Sequence, residues 1–196
     1  MENEKSSVDV LKDLAKRAGW EFTKVEKIIS ARYGHSEQNV IIRNNSIKDS
    51  YFISAKSNDF AKYSIYSGIF FPILGHENYK LLIRPRNLLD RFSFRKNKLR
   101  FKIGNESFDS KVHIETSNDI ETHKLLSSSK VQMEIIAFLN LRNCLYIGFN
   151  ELNPSFNKEL EGKKYLSVFM SLEWILDKEM IDKMFKIGEL LRSKFN

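Results

Sequence analysis

Asp109-x-Lys111, with Asp90 upstream, supplies the parts of a metal-dependent nuclease: two carboxylates to hold a divalent ion and an ammonium to steady the attacking water or the developing charge. The spacing rule for that chemistry is loose, and a D-x-K tripeptide arises readily in a lysine-rich chain. His113 and Glu115 share one strand face, and His123 follows on a helix, which makes a second trio of metal-ligating types. None of His35, His76, His113 and His123 stands in an H-x3-H or HExxH spacing, so these read as polar surface histidines and no metal is assigned. Cys144 has no histidine placed by sequence to activate it and reads as a small buried hydrophobe. No glycine-rich phosphate loop occurs, so no cofactor is assigned.

The stronger signal is charge. Residues 84–102 carry Arg84, Arg86, Arg91, Arg95, Lys96, Lys98, Arg100 and Lys102 against a single acid, Asp90, so this window holds +7, the net charge of the whole chain. Five of the ten arginines fall within it, which drift of the composition toward lysine would not produce. Such a window is a surface for anionic groups: a membrane surface, an acidic protein or, without any recognised module, a nucleic acid. Phe92 and Phe94, interleaved with the cations, could stack on bases or dip into a lipid interface. The plain alternative is a solvated strand face whose charges keep a sheet edge from aggregating.

The elements that must position these residues show in the periodicity. Ser6 and Asp9 form a capping box for a helix from about Val8 to Ala18, which Gly19 stops. From Trp20 to Ile114 the period is two, with strands expected near 20–25, 28–33, 39–43, 50–56, 62–71, 79–84, 98–103 and 110–115. Leu99, Phe101 and Ile103 alternate with Lys98, Arg100 and Lys102, so part of the basic window is expected on one ordered face. In the strand near 62–71, Ile69 and Phe71 oppose Tyr66 and Phe70, which predicts burial on both faces. Beyond Ile114 come a short helix capped by Asn118 and Glu121, a second opened by Ser128, strands at 145–149 and 165–172, and a last helix over about 178–194. Met180, Met184, Phe185 and Phe195 fall on the expected core stripe of that last helix. The pattern predicts one α+β domain over 1–196 (β-rich over 20–115, mixed over 116–196), mainly antiparallel, with the N-terminal and C-terminal helices packed on the sheet.

Tyr66-Ser67-Gly68-Ile69-Phe70-Phe71, then Phe108-Asp109 leading into Val112-x-Ile114, then Asn118-Asp119, His123, Leu125-Leu126-Ser127 and Met133-Glu134 fall in an order that resembles an uncharacterised bacterial domain family over roughly residues 60–150. The resemblance implies a strand at Phe108-Asp109, a bacterial origin and work near a membrane, and transfers no catalytic residue. A Leu-Ser-Ser step stands where that family has a Leu-Thr-Pro-like one, and apolar N-terminal spans are absent from this sequence. With one cysteine and no apolar leader, the expected setting is the cytoplasm, in part peripheral to a membrane. The expected function is a non-catalytic binding or scaffolding module that meets an anionic partner through residues 84–102.

Overall fold

The computed structural model describes residues 5–30, 35–56, 64–73, 78–87, 90, 100–152, 154, 157 and 159–195. Helix α1 (Ser7–Ala18) starts where Ser6 accepts a hydrogen bond from the Asp9 amide and stops at Gly19, whose φ of 69° is the left-handed conformation a glycine adopts without strain. Strands β1 (Glu21–Ser30), β2 (His35–Arg43), β3 (Tyr51–Lys56) and β4 (Ile65–Ile73) then form an antiparallel run. The strand expected at 20–25 and the described part of the one expected at 28–33 are one strand, because the intervening Glu26 and Lys27 are charged but not turn-forming and pair with Gln38 and Glu37; residues 31–33 lie outside the described residues.

The chain continues through β5 (Leu81–Pro85), β6 (Arg100–Phe101), α2 (Glu106–Asp109), β7 (Val112–Thr116), α3 (Asp119–Leu126), α4 (Ser129–Leu139), β8 (Leu145–Phe149), β9 (Lys164–Ser171) and α5 (Lys178–Arg192). Among the described residues nine strands make one sheet in the order β1-β2-β3-β4-β9-β8-β5-β7-β6, antiparallel throughout. The late strands β8 and β9 therefore sit between β4 and β5, and β6 is the outermost of the described strands on its side.

The fold is α+β, and its helices lie on one face. Leu11 and Leu14 from α1, Ile135 and Phe138 from α4 and Met184 and Phe185 from α5 share a core with Ile69, Phe71, Val168 and Ile147 of the central strands. The opposite face buries Tyr51, Ile53, Tyr66, Phe70, Tyr165 and Phe169 together with Leu152 and Leu160. Strand β4 is thus covered on both sides, as its sequence predicts. Between the layers, the fully buried Ser67 hydroxyl lies 2.6 Å from that of Ser54 and accepts the Ile175 amide at 3.0 Å, so the two polar side chains satisfy each other and the segment leading into α5.

One element differs from expectation in kind. Phe108-Asp109 lies in the short helix α2 and not in a strand, because Asn105 caps that turn by accepting the Ser107 amide and hydroxyl. The Asp109 carboxylate then accepts the Ile103 and Gly104 amides at 3.1 and 2.9 Å, closing the loop that links β6 to β7.

Candidate functional site

Strands β5, β7 and β6 bring the ends of the basic window to one corner of the sheet. Arg84 of β5 stands opposite His113 of β7, and Arg100 of β6 stands opposite Glu115, two residues further along β7. Since alternate residues point to the same side, Arg84, His113, Glu115 and Arg100 share the face away from the helices.

Asp90 is the hub of that face. Its carboxylate accepts Arg84 through both terminal nitrogens, at 2.8 and 2.5 Å, and the Asn87 amide at 2.8 Å. Asn87 returns the contact, its side-chain oxygen accepting the Asp90 amide at 3.0 Å, which is the reciprocal geometry of a capping box. Burial opposes ionisation of this carboxyl, but the Arg84 hydrogen bonds and the Asn87 amide outweigh it and hold the group down at about 2. The same hydrogen bonds, partly opposed by burial, raise Arg84 above the ordinary guanidinium value.

His113 sits against this pair, its Nδ1 3.7 Å from the Asp90 carboxylate and its Nε2 3.1 Å from that of Glu115. Burial and then the Arg84 charge push its pKa below the ordinary 6.5, more than its two carboxylate neighbours raise it. The unfolded chain thus binds this proton more readily than the folded protein, so the penalty is absent above pH 6.5 and grows as pH falls through that value toward the lower folded one. Urea midpoints measured from pH 7.5 to 5 should therefore fall with pH, and His113→Gln should flatten the fall; an equal slope in the variant would contradict this.

The eight cations of the window divide by task. Arg84 is spent on Asp90, and Arg86 donates to the Asp109 carbonyl at 3.1 Å while its own amide binds the Lys111 carbonyl at 2.8 Å. Arg100 and Lys102 are exposed at the β6 edge, and Phe101 and Ile103 between and beside them turn inward, the alternation expected for this stretch. Lys111, exposed at the end of the same loop, adds a third cation. None of these three is ion-paired to a described carboxylate. Arg91, Arg95, Lys96, Lys98, Phe92 and Phe94 lie outside the described residues.

The residues of the nuclease constellation are placed as structural acceptors. Both oxygens of Asp90 hold Arg84 and Asn87, and both oxygens of Asp109 hold backbone amides. Asp109-x-Lys111 lies on a helical turn and the loop after it, and not on the strand its sequence suggests. Among the described residues no three histidine, cysteine or carboxylate groups are gathered as metal ligands would be. His123 belongs to α3, which packs on the opposite face of the sheet from His113. Cys144 is half-buried at the entry to β8, and its carbonyl accepts the Ser171 amide at 3.0 Å. Met180, Met184 and Phe185 are buried in the main core, with Phe195 packed against it.

The Arg84–Asp90 pair is not evident from the sequence, where Asp90 stands as the lone acid of the basic window and, in the alternative reading, as a metal ligand. An Asn with an acid three residues later, Asn87 and Asp90, is the local signal for it. Comparison with known proteins finds no matching family model, curated protein or solved structure.

Proposed function

We propose that this chain is a non-catalytic docking module that meets an anionic membrane surface through the β5–β6–β7 corner. The observation that carries the reading is the division of the cations: Arg84 and Asp90 fix one end of the basic window against β7, β6 fixes the other, and Arg100, Lys102 and Lys111 stay exposed and form no ion pair with a described carboxylate, Glu115 opposite Arg100 being engaged by His113. Within the window, Phe92 and Phe94 are flanked by Arg91 and Arg95, which suits a surface that takes apolar side chains as well as charge. No described helix is long and apolar enough to cross a membrane, so the contact would be peripheral, and a cytoplasmic setting in a bacterium is part of the same proposal. The alternative, a metal-dependent nuclease on Asp90, Asp109 and Lys111, requires both carboxylates to leave their present partners.

Co-sedimentation with phosphatidylserine vesicles tests the proposal. Binding should be strong at low salt and weaken steeply as salt rises. Replacing Arg95, Lys98, Arg100 and Lys102 by Glu should lower it by about a hundredfold or more, at roughly 1 kcal/mol for each cation near the surface, with the circular dichroism spectrum unchanged. Binding that ignores these reversals, or a wild-type protein that stays in the supernatant, overturns the proposal.

A further inference from the structure

Helices α4 and α5 leave an open apolar groove on the helical side of the molecule, on the other face of the sheet from the corner described above. Its floor is Ala137, Phe138 and Leu141 from α4 and its C-terminal end, with Ile187 and Leu190 from α5, enclosing about 500 Å³. Phe138 and Ile187 are buried at the base, whereas Leu141 remains 41% exposed and Ala137 is exposed. The groove therefore offers apolar side chains to an occupant from a base that is already ordered.

Its rim is cationic. Lys130 lies at the start of α4, and Lys183 and Lys186 lie along α5, against one acid, Glu134. Lys183 contacts Glu179 one turn earlier at 2.6 Å, but both partners are substantially exposed, and such a pair holds little energy against a competing carboxylate.

The lining positions recur with helical spacing. On α4 and just beyond it they run 130, 134, 137, 138 and 141, and on α5 they run 183, 186, 187 and 190. The longer stripe extends about 16 Å, three helical turns. A trough of that length, apolar along its floor and positive along its rim, is complementary to a helix of three or more turns that presents leucine-like anchors at i, i+4, i+7 and i+11 with carboxylates on both flanks.

We infer that the α4–α5 groove binds an acidic amphipathic helix of a partner protein. The floor takes the anchors, and the three lysines set the preference for an acidic partner and its orientation. This site is independent of the basic corner: the two lie on opposite faces of the sheet, and neither uses a residue of the other.

A fluorescein-labelled 18-residue peptide with Leu at that spacing and Glu flanking it, measured by anisotropy against the full chain, is the test. A peptide of the same composition with Leu at alternate positions is the control. The helical pattern should bind at least about tenfold more tightly than the alternating one, and Lys183→Glu with Lys186→Glu should weaken it by about tenfold or more with an unchanged melting temperature. Reversal of Arg100, Lys102 and Lys111 should leave peptide binding intact, which separates failure here from failure of the membrane reading. The inference is overturned if the two peptides bind alike, if neither binds, or if the lysine reversals have no effect. Saturable binding of laurate without binding of either peptide also overturns it, and assigns the groove to an acyl carboxylate.

Discussion

Asp90→Ala is expected to lower stability by about 3–5 kcal/mol, because it leaves the Arg84 guanidinium, whose side chain is 19% exposed, without its bidentate partner and removes the acceptor of the Asn87 amide. Urea denaturation at pH 7 should show the loss as a lowered midpoint. Asp90→Asn, which can still accept one hydrogen bond, should lose less. The pH dependence follows from the same contacts. The carboxyl titrates near 3.8 in the unfolded chain and about 2 in the folded protein, so the pair's contribution is complete above 3.8 and disappears as pH falls toward 2. Its size from that difference is roughly 2–3 kcal/mol. A variant as stable as the wild type at pH 7 would show that the pair does not anchor the window.

Gly188→Val is expected to cost about 3 kcal/mol or more, at the upper end of overpacking effects. A Cβ at this position in α5 would stand 2.2 Å from Cε2 of Phe71 on β4. The ring cannot simply step aside. It is fully buried, packs edge-on against Phe185 at a centroid distance of 6.3 Å, and carries the Arg192 guanidinium at 5.7 Å. Helix propensity alone would favour Ala over Gly by about 1 kcal/mol, so Gly188→Ala is the sharper case: a net destabilisation means that contact with Phe71 decides the residue. In a double-mutant cycle, Phe71→Leu should recover part of the loss in Gly188→Ala, and strictly additive effects would contradict the packing account.

These sites differ in how far the sequence discloses them. Helix ends are local, so Ser6 with Asp9, Gly19, and Asn118 with Glu121 can be read directly, and the Ser6 and Asn118 side chains accept the Asp9 and Glu121 amides as expected, whereas Ser128 opens its helix without a side-chain cap bond. Alternation likewise places Ile69 and Phe71 on one side of β4 and Tyr66 and Phe70 on the other. Strand order is not local. The insertion of β9 and β8 between β4 and β5 depends on pairings such as Phe71 with Leu166, about half the chain apart, which no periodicity records. The strand expected at Phe108-Asp109 comes from the family resemblance and not from periodicity, and the cap at Asn105 makes that stretch a helical turn instead. In the basic window, composition reports the charge but not its allocation, since it does not show that Arg84 lies on an interior strand and meets Asp90 across a turn while Arg100 lies exposed on β6.

Docking at the β5–β6–β7 corner requires a local patch of cations and not net charge alone, and one comparison separates the two. Arg100, Lys102 and Lys111 reversed to Glu at the β6 corner, and Lys12, Lys16 and Arg17 reversed to Glu on the exposed side of α1, change the net charge equally. Binding of both variants to phosphatidylserine vesicles should be measured at one ionic strength. The corner variant is predicted to lose binding by about tenfold or more, while the α1 variant keeps most of it. Equal losses in the two, or binding by the corner variant as tight as the wild type, would contradict a docking surface at this edge of the sheet.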